Sequence, residues 1–250
     1  MVTSSENPTP IVLLHGVGLD RSMWRAVIEQ LPRPTVALDL PGHGGERVLR
    51  EPTTLAELAR RMLAQLPDGR CHLVGFSLGA LVAQHIARFS PERVATLTCV
   101  SSVCRRTPEE AAAVLDRLES AKSDFAGTVD RSIERWFAGG IVAGSVVQEI
   151  RAVLERTDVE SFVHAYEVFA TGDRDIADEL ERISAPTLAI TGELDPGSTP
   201  QMTTRLAAAI PGARQRVVDG VRHMLPVQAP DVLVDELMQM INDAEGDGDD

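Results

Sequence analysis

The chain has 250 residues, 44% apolar and 24% charged, which is enough for one large α/β domain with a buried core. Its formal net charge of −13 argues against a nucleic-acid partner, whose phosphates need basic contacts. No apolar run reaches the roughly 18–20 residues that a membrane helix requires, which argues against a membrane partner.

The N-terminal stretch Met1–Pro10 is polar and lacks the apolar core of a signal peptide, so a cytoplasmic location is the default expectation. The acidic end, 243–250, reads as a solvated, disordered tail. Cys71, Cys99 and Cys104 form no CxxC pair and no metal pattern, and read as reduced thiols. Cys71 and Cys99 fall in strand-like runs, where they pack as small apolar groups.

Six short apolar runs alternate with helical stretches. The runs are Ile11–His15, Thr35–Leu40, Cys71–Phe76, Val94–Val100, Pro186–Thr191 and Gln215–Val218. Most are continuously apolar, as expected of strands covered by helices on both faces. The helical stretches are Ser22–Gln30, Thr54–Gln65, Leu78–Phe89, Gln201–Ala209 and Pro230–Asn242. This alternation predicts an α/β fold with a parallel, doubly wound sheet, its strand C-termini along one edge where active sites form.

Residues 102–183 interrupt the pattern with helix-like segments and no convincing strand. Thr107-Pro108-Glu109-Glu110 reads as a helix start, with Thr107 as cap and Pro108 in the first turn. A helical insertion between two sheet strands suggests a lid over the strand ends. The plainer alternative is a packing extension. The expected organisation is therefore a core of 1–101 and 184–242, a helical lid of 102–183, and the tail.

Chemistry concentrates at Gly75-Phe76-Ser77-Leu78-Gly79, a G-x-S-x-G sequence joining a strand to a helix. Serine on such a strained turn projects its hydroxyl above the sheet, and the following helix N-terminus favours an anion nearby. Ser77 is therefore the candidate nucleophile. A tetrahedral intermediate also needs amide donors aimed at its oxygen. Leu78, just after the serine, can supply one. Val17, flanked by Gly16 and Gly18 in the loop after an earlier strand, can supply the other. His15 reads as a brace for that loop rather than a reacting group.

A nucleophilic serine needs a base, and the base an orienting carboxylate; where the serine sits on a G-x-S-x-G strand-to-helix turn of this kind, the chain order is serine, acid, histidine. His85 lies in the helix after Ser77 and His164 in the insertion. Only His223 follows the final strand. Asp195, after the preceding strand, is the preferred acid. Glu193, two residues earlier, is the competitor, and for either the plain reading is a turn carboxylate capping the next helix.

These residues together resemble the α/β-hydrolase superfamily over nearly the whole chain. His15-Gly16-Val17-Gly18, Asp39-Leu40-Pro41-Gly42-His43-Gly44, Gly75-Phe76-Ser77-Leu78-Gly79 and His223 are its landmarks. The Pro-Gly-His-Gly turn is structural in that superfamily, so the resemblance implies no reacting role for His43. Within it, the chain resembles 3-oxoadipate enol-lactonases and related small carboxylesterases. The resembling pieces are Ser90-Pro91-Glu92-Arg93-Val94, Arg135-Trp136-Phe137, Phe169-Ala170-Thr171, Asp173–Ile183 and Thr191–Pro200. That resemblance places Trp136 near the substrate, although an aromatic that only packs the lid would look the same. A second likeness is to the carboxylesterase that removes the methyl ester from a pimeloyl carrier-protein conjugate.

Two departures stand out. Only about ten mostly polar residues precede the strand at Ile11, too few for the hairpin many relatives carry there, so a shortened sheet of about six parallel strands is expected. Ala80 stands where many relatives have a further glycine, a minor packing change.

The reaction these residues imply is acyl transfer from a small-molecule ester or lactone to water, with no metal and no organic cofactor. An enol-lactone or dicarboxylic substrate would need a cation. Arg105 and Arg106 are candidates, but we prefer to read them as a solvated surface pair. The same fold also serves carbon–carbon bond hydrolases of ring-cleavage products, cofactor-free haloperoxidases and non-catalytic ligand receptors. Oligomeric state is not legible.

Overall fold

A computed structural model describes residues 8–246. The polar stretch read at residues 1–7, and the last four residues of the tail, lie outside the described residues.

Six strands form one parallel sheet: β1 (Ile11–Leu14), β2 (Thr35–Leu38), β3 (Cys71–Phe76), β4 (Val94–Val100), β5 (Thr187–Gly192) and β6 (Arg214–Val218). Their spatial order is β2-β1-β3-β4-β5-β6, and every neighbouring pair is parallel. The expected shortened sheet is thus the one found among the described residues. The four central strands are buried almost throughout, and the edge strands β2 and β6 are partly exposed. Continuous apolar sequence marks the strands that helices cover on both faces.

The flanking helices are α1 (Arg25–Ile28, entered through a 3₁₀ turn at Arg21–Trp24), α2 (Leu55–Leu63) and α3 (Leu78–Phe89). After β5 come α8 (Pro200–Ala209), the short α9 (Leu225–Gln228) and α10 (Pro230–Gly246). Local chemistry explains several starts. Thr54 caps α2 and Thr199 caps α8, each accepting a backbone N–H with its hydroxyl. The acidic end does not begin as a disordered tail at 243. Helix α10 runs on to Gly246, with Asp243 paired to Arg214 at 2.7 Å and Glu245 meeting Arg33 and His72. Those three partners draw acidic residues back onto the body of the protein.

Between β4 and β5 the chain makes four consecutive helices: α4 (Pro108–Ser123), α5 (Phe125–Phe137), α6 (Gly144–Arg156) and α7 (Val159–Ile176). Thr107 and Glu110 form a reciprocal capping box at the start of α4, with Pro108 in the first turn. The 102–183 segment is not an outlying appendage. Val114, Val129, Trp136, Phe162, Val168 and Phe169 join the same apolar cluster as the sheet strands. All three cysteines are free and buried, and burial pushes the thiols of Cys71 and Cys104 up to about 11 and that of Cys99 up to about 12.

Among the described residues, no helix is long and apolar enough to cross a membrane.

Candidate active site

The loops leaving the C-terminal ends of β1, β3, β5 and β6 converge on one cavity. Its lining includes Val17, Ser77, Asp195 and His223, the last three all nearly buried.

Ser77 sits between β3 and α3 with φ 54° and ψ −113°, a backbone conformation L-residues rarely adopt. The turn is tolerated because its neighbours are small. A Cβ on Gly75 would come within 2.2 Å of the Gly79 carbonyl oxygen, and one on Gly79 within 2.4 Å of the Leu14 carbonyl oxygen. Strand, helix and β1 therefore close on one another around the serine. Ala80 is wholly buried behind this turn.

The loop after β1 passes directly over the serine. A Cβ on Gly16 would touch the Phe76 ring at 3.0 Å and the Ser77 Cβ at 3.1 Å. That closeness brings Val17 to the cavity. The Leu78 amide begins α3 and has no carbonyl to meet inside the helix. Neither the Val17 nor the Leu78 amide finds an acceptor among the described residues. His15 fixes the loop from behind. Its Nδ1 hydrogen-bonds the Gly16 carbonyl oxygen at 2.7 Å, and its Nε2 accepts the Leu40 amide at 2.9 Å. Burial lowers the His15 pKa and holds the ring neutral.

The Asp39–Gly44 turn is structural in this protein. The Asp39 carboxylate accepts amides from Arg21 and Gly45 at 2.8 and 3.0 Å. His43 packs edge-on to His15, 5.1 Å between ring centroids, and burial pushes its pKa down to about 3. His85 rests on Phe89, and His164 lies in α7 outside the cavity lining.

The His223 Nδ1 lies 2.7 Å from Asp195 Oδ2. A carboxylate can only accept, so Nδ1 carries the proton and Nε2 is left as the basic nitrogen. The second carboxylate oxygen, Oδ1, accepts the amides of Gly197 and Ser198, both at 2.9 Å. Two backbone bonds join the acid loop to the histidine side. Glu193 N donates to Val218 O at 2.9 Å and Leu194 N to Val221 O at 2.8 Å. Glu193 itself points away from His223: its side chain is exposed and accepts the Gly220 amide at 2.9 Å.

The His223 carbonyl oxygen is held by the Ser101 hydroxyl at 3.1 Å and the Leu225 amide at 2.9 Å. Ser101 has φ 47° and is fully buried. Sequence reading did not single out this serine, because nothing in Val100-Ser101-Ser102 distinguishes it from an ordinary strand end.

Trp136 stacks on the His223 ring, 5.8 Å between centroids with a 29° interplanar angle, and forms one wall of the cavity with Phe162 and Phe169. Two cations to which the sequence motifs give no role, Arg117 and Arg135, also line it. A signal was present, since Ser132, Arg135 and Trp136 share one face of α5 by their i, i+3, i+4 spacing.

Arg105 and Arg106 lie elsewhere, and they are not a solvated pair. Arg105 is exposed and donates to the Ala177 carbonyl oxygen. The Arg106 side chain is 2% exposed. It pairs with the equally buried Asp173 at 2.6 Å, and its guanidinium lies over the Phe169 ring.

A doubly wound parallel sheet, a nucleophile-type elbow after β3 and an aspartate–histidine pair on the last two loops define an α/β hydrolase, and the chain belongs to the alpha/beta hydrolase family, whose model matches residues 11–236. Among curated proteins it is 30% identical over 235 residues to the (E)-2-((N-methylformamido)methylene)succinate hydrolase of Acinetobacter baylyi, covering 92% of this chain and 89% of that protein. It is 32% identical over 237 residues to the pimeloyl-[acyl-carrier protein] methyl ester esterase of Edwardsiella ictaluri, with 88% of each covered. Among solved structures, the enol-lactonase of Burkholderia xenovorans superposes with a TM-score of 0.85 at 25% identity, over 96% of this chain and 94% of that one. Family and relatives together support hydrolase activity.

Proposed function

We propose that the protein is a serine hydrolase that cleaves a carboxylic ester or lactone through an acyl-enzyme. The observation that carries the reading is the His223–Asp195 hydrogen bond of 2.7 Å on the wall of a cavity shared with Ser77.

In this reading His223 Nε2 takes the Ser77 proton as Oγ attacks the carbonyl carbon, and the Asp195 carboxylate holds the imidazole in its tautomer and stabilises the cation that forms. The Val17 and Leu78 amides receive the oxyanion, and each such donor typically contributes about a hundred- to a thousand-fold in rate. His223 then returns the proton to the leaving alkoxide. It next deprotonates a water molecule that attacks the acyl-enzyme carbonyl, and it passes that proton to Ser77 Oγ as the acyl–oxygen bond breaks and the acid is released. Trp136 acts as substrate wall, and helices α4–α7 act as the lid.

For the substrate, an enol-lactonase-like ester or lactone is the preferred class. It is supported by the likeness to the enol-lactonase structure, while the relative named as a methyl ester esterase supports ester cleavage more generally.

Replacing Ser77 with alanine tests the nucleophile. Hydrolysis of p-nitrophenyl acetate should fall by at least about a thousand-fold, with the far-UV circular dichroism unchanged. A folded variant that keeps full activity overturns the reading.

A further inference from the structure

We propose that Thr157, at the corner between α6 and α7, is a positioning residue for the reaction: its hydroxyl sets the aim of the Val17 amide through two peptide groups of the loop after β1. This deepens the serine-hydrolase reading and rests on it.

Gly16-Val17-Gly18-Leu19 is a tight turn closed by the Leu19 amide on the Gly16 carbonyl oxygen at 3.3 Å. Gly18, at φ 72°, supplies the left-handed backbone that the third residue of a type II turn needs. The Gly16 carbonyl oxygen also meets His15 Nδ1 at 2.7 Å. In a trans peptide the C=O and N–H point in opposite directions. Fixing the Gly16 oxygen on His15 and Leu19 therefore turns the Val17 N–H away from both, and Val17 lines the chamber of Ser77.

The next peptide group is pinned in turn. The N–H of the Gly18–Leu19 peptide is the donor to Gly16, and its carbonyl oxygen accepts from Thr157 Oγ1 at 3.2 Å. Gly18 is buried, and its carbonyl oxygen has no other donor among the described residues. Leaving a buried carbonyl without a partner is costly, so Gly18 draws the Thr157 proton. The competing acceptor is the Val153 carbonyl oxygen at 3.1 Å, one turn back in α6. A hydroxyl has one proton to give, and on Val153 it would only finish the helix.

Thr157 is thus the first donor in a series that runs through the Gly18–Leu19 peptide and the Gly16–Val17 peptide to the oxyanion above Ser77. Hydrogen bonds in series polarise one another, and each of these also fixes the plane of the next peptide. The corner that carries Thr157 is seated on the same loop. A Cβ on Gly18 would come within 2.7 Å of the Phe162 ring and 2.8 Å of the Leu154 side chain, so α6 and α7 each press a side chain against that residue. Arg156 reaches Asp20, two residues beyond Gly18, at 4.0 Å. The helical insertion therefore bears directly on the loop that holds one oxyanion donor.

The test is Thr157→Val, which keeps the shape and removes the hydroxyl, beside Thr157→Ser, which keeps the hydroxyl. With p-nitrophenyl acetate, Thr157→Val should lower kcat about tenfold and change KM by less than about twofold, because an oxyanion donor acts in the transition state. Thr157→Ser should recover most of that loss. 1,1,1-Trifluorobutan-2-one gives a second readout. Ser77 Oγ adds to its carbonyl carbon as the proton passes to His223, and the new oxyanion lies where the ester's would. Its Ki should rise in Thr157→Val by about the factor by which kcat/KM falls. A folded Thr157→Val whose kcat stays within about twofold of wild type overturns the proposal. So does a loss confined to KM, or a fall in kcat that leaves the ketone's Ki unmoved. Ser77→Ala separates the two readings. If it abolishes hydrolysis while Thr157→Val keeps its kcat, the nucleophile stands and the positioning role falls. If it keeps full activity, the serine reading falls and takes this proposal with it. Should Thr157→Val not fold, Thr157→Ala and Thr157→Ser carry the comparison, and equal kcat in the two overturns the proposal.

Discussion

The Asp195 carboxylate is engaged at both oxygens, by His223 Nδ1 at 2.7 Å on one side and by the Gly197 and Ser198 amides at 2.9 Å on the other. Glu193, two residues earlier, instead meets Gly220 at the surface. A two-residue step along an extended chain would keep both carboxylates on one face. The tight turn after β5, closed by the Asp195 amide on the Gly192 carbonyl oxygen, sends them apart.

Asp195→Asn should therefore lower kcat by about a thousand- to ten-thousand-fold, because an amide in that place can favour the wrong imidazole tautomer. Glu193→Gln should change kcat by less than about threefold. Steady-state hydrolysis of p-nitrophenyl acetate by the two variants checks this. A larger loss in the glutamine variant would move the acid's role to Glu193.

The sheet was legible because strands buried on both faces leave continuous apolar runs, and β3 and β4 lie where those runs lie. The elbow was legible because Gly75 and Gly79 are required by backbone contacts on either side of one residue. What escaped reading depends on how the helices of the insertion turn toward the sheet. Arg106 looks like a surface arginine until Asp173, 67 residues away, is seen beside it. Arg117 and Arg135 sit on different helices, and only packing of α4 against α5 and α7 places them at one chamber. The end of the chain was misread for a similar reason, since composition shows the acids of 243–246 but not the arginines that meet them.

The buried histidines give stability a pH dependence of known sign. In the unfolded chain a histidine titrates near 6.5. In the folded protein burial keeps His43 neutral down to about 3, and lowers His15 as well. Below pH 6.5 the unfolded state therefore binds protons that the native state does not, and stability falls as pH drops from about 6.5 toward 3. Each such group contributes a slope approaching about 1.4 kcal/mol per pH unit. Urea denaturation at intervals between pH 5 and 7.5 should show this decline, and His43→Gln should make it shallower. An unchanged slope in that variant would show that His43 does not contribute.

Glycine substitutions should sort by contact. Gly75→Ala drives a methyl to 2.2 Å from the Gly79 carbonyl oxygen, where only backbone could yield. It should cost about 3 kcal/mol or more, or prevent folding. Gly144→Ala, at the start of α6, meets nothing within 4 Å and has no positive φ. It should be neutral or stabilise by up to about 1 kcal/mol, mainly by restricting the unfolded chain. Thermal melts of the two variants beside wild type test the contrast.

The Arg106–Asp173 pair should matter more for folding than any surface pair. Both side chains are 2% exposed, and Asp173 accepts from the Arg106 guanidinium at 2.6 Å and from its amide at 2.9 Å. The pair ties the segment before α4 to the end of α7, so it closes the helical insertion on itself. Surface pairs such as Arg60–Glu57 are screened by solvent and contribute little to stability. Removing one partner of a buried pair instead leaves an uncompensated charge and costs about 3–5 kcal/mol. Asp173→Asn keeps the shape but strips the charge facing Arg106, and should lower stability by that amount in urea denaturation. The double variant Arg106→Met/Asp173→Leu removes both charges and should recover much of the loss, because desolvation of the ions no longer has to be offset. If Asp173→Asn costs under about 1 kcal/mol, the pair is screened as a surface pair is, and its burial does not govern stability.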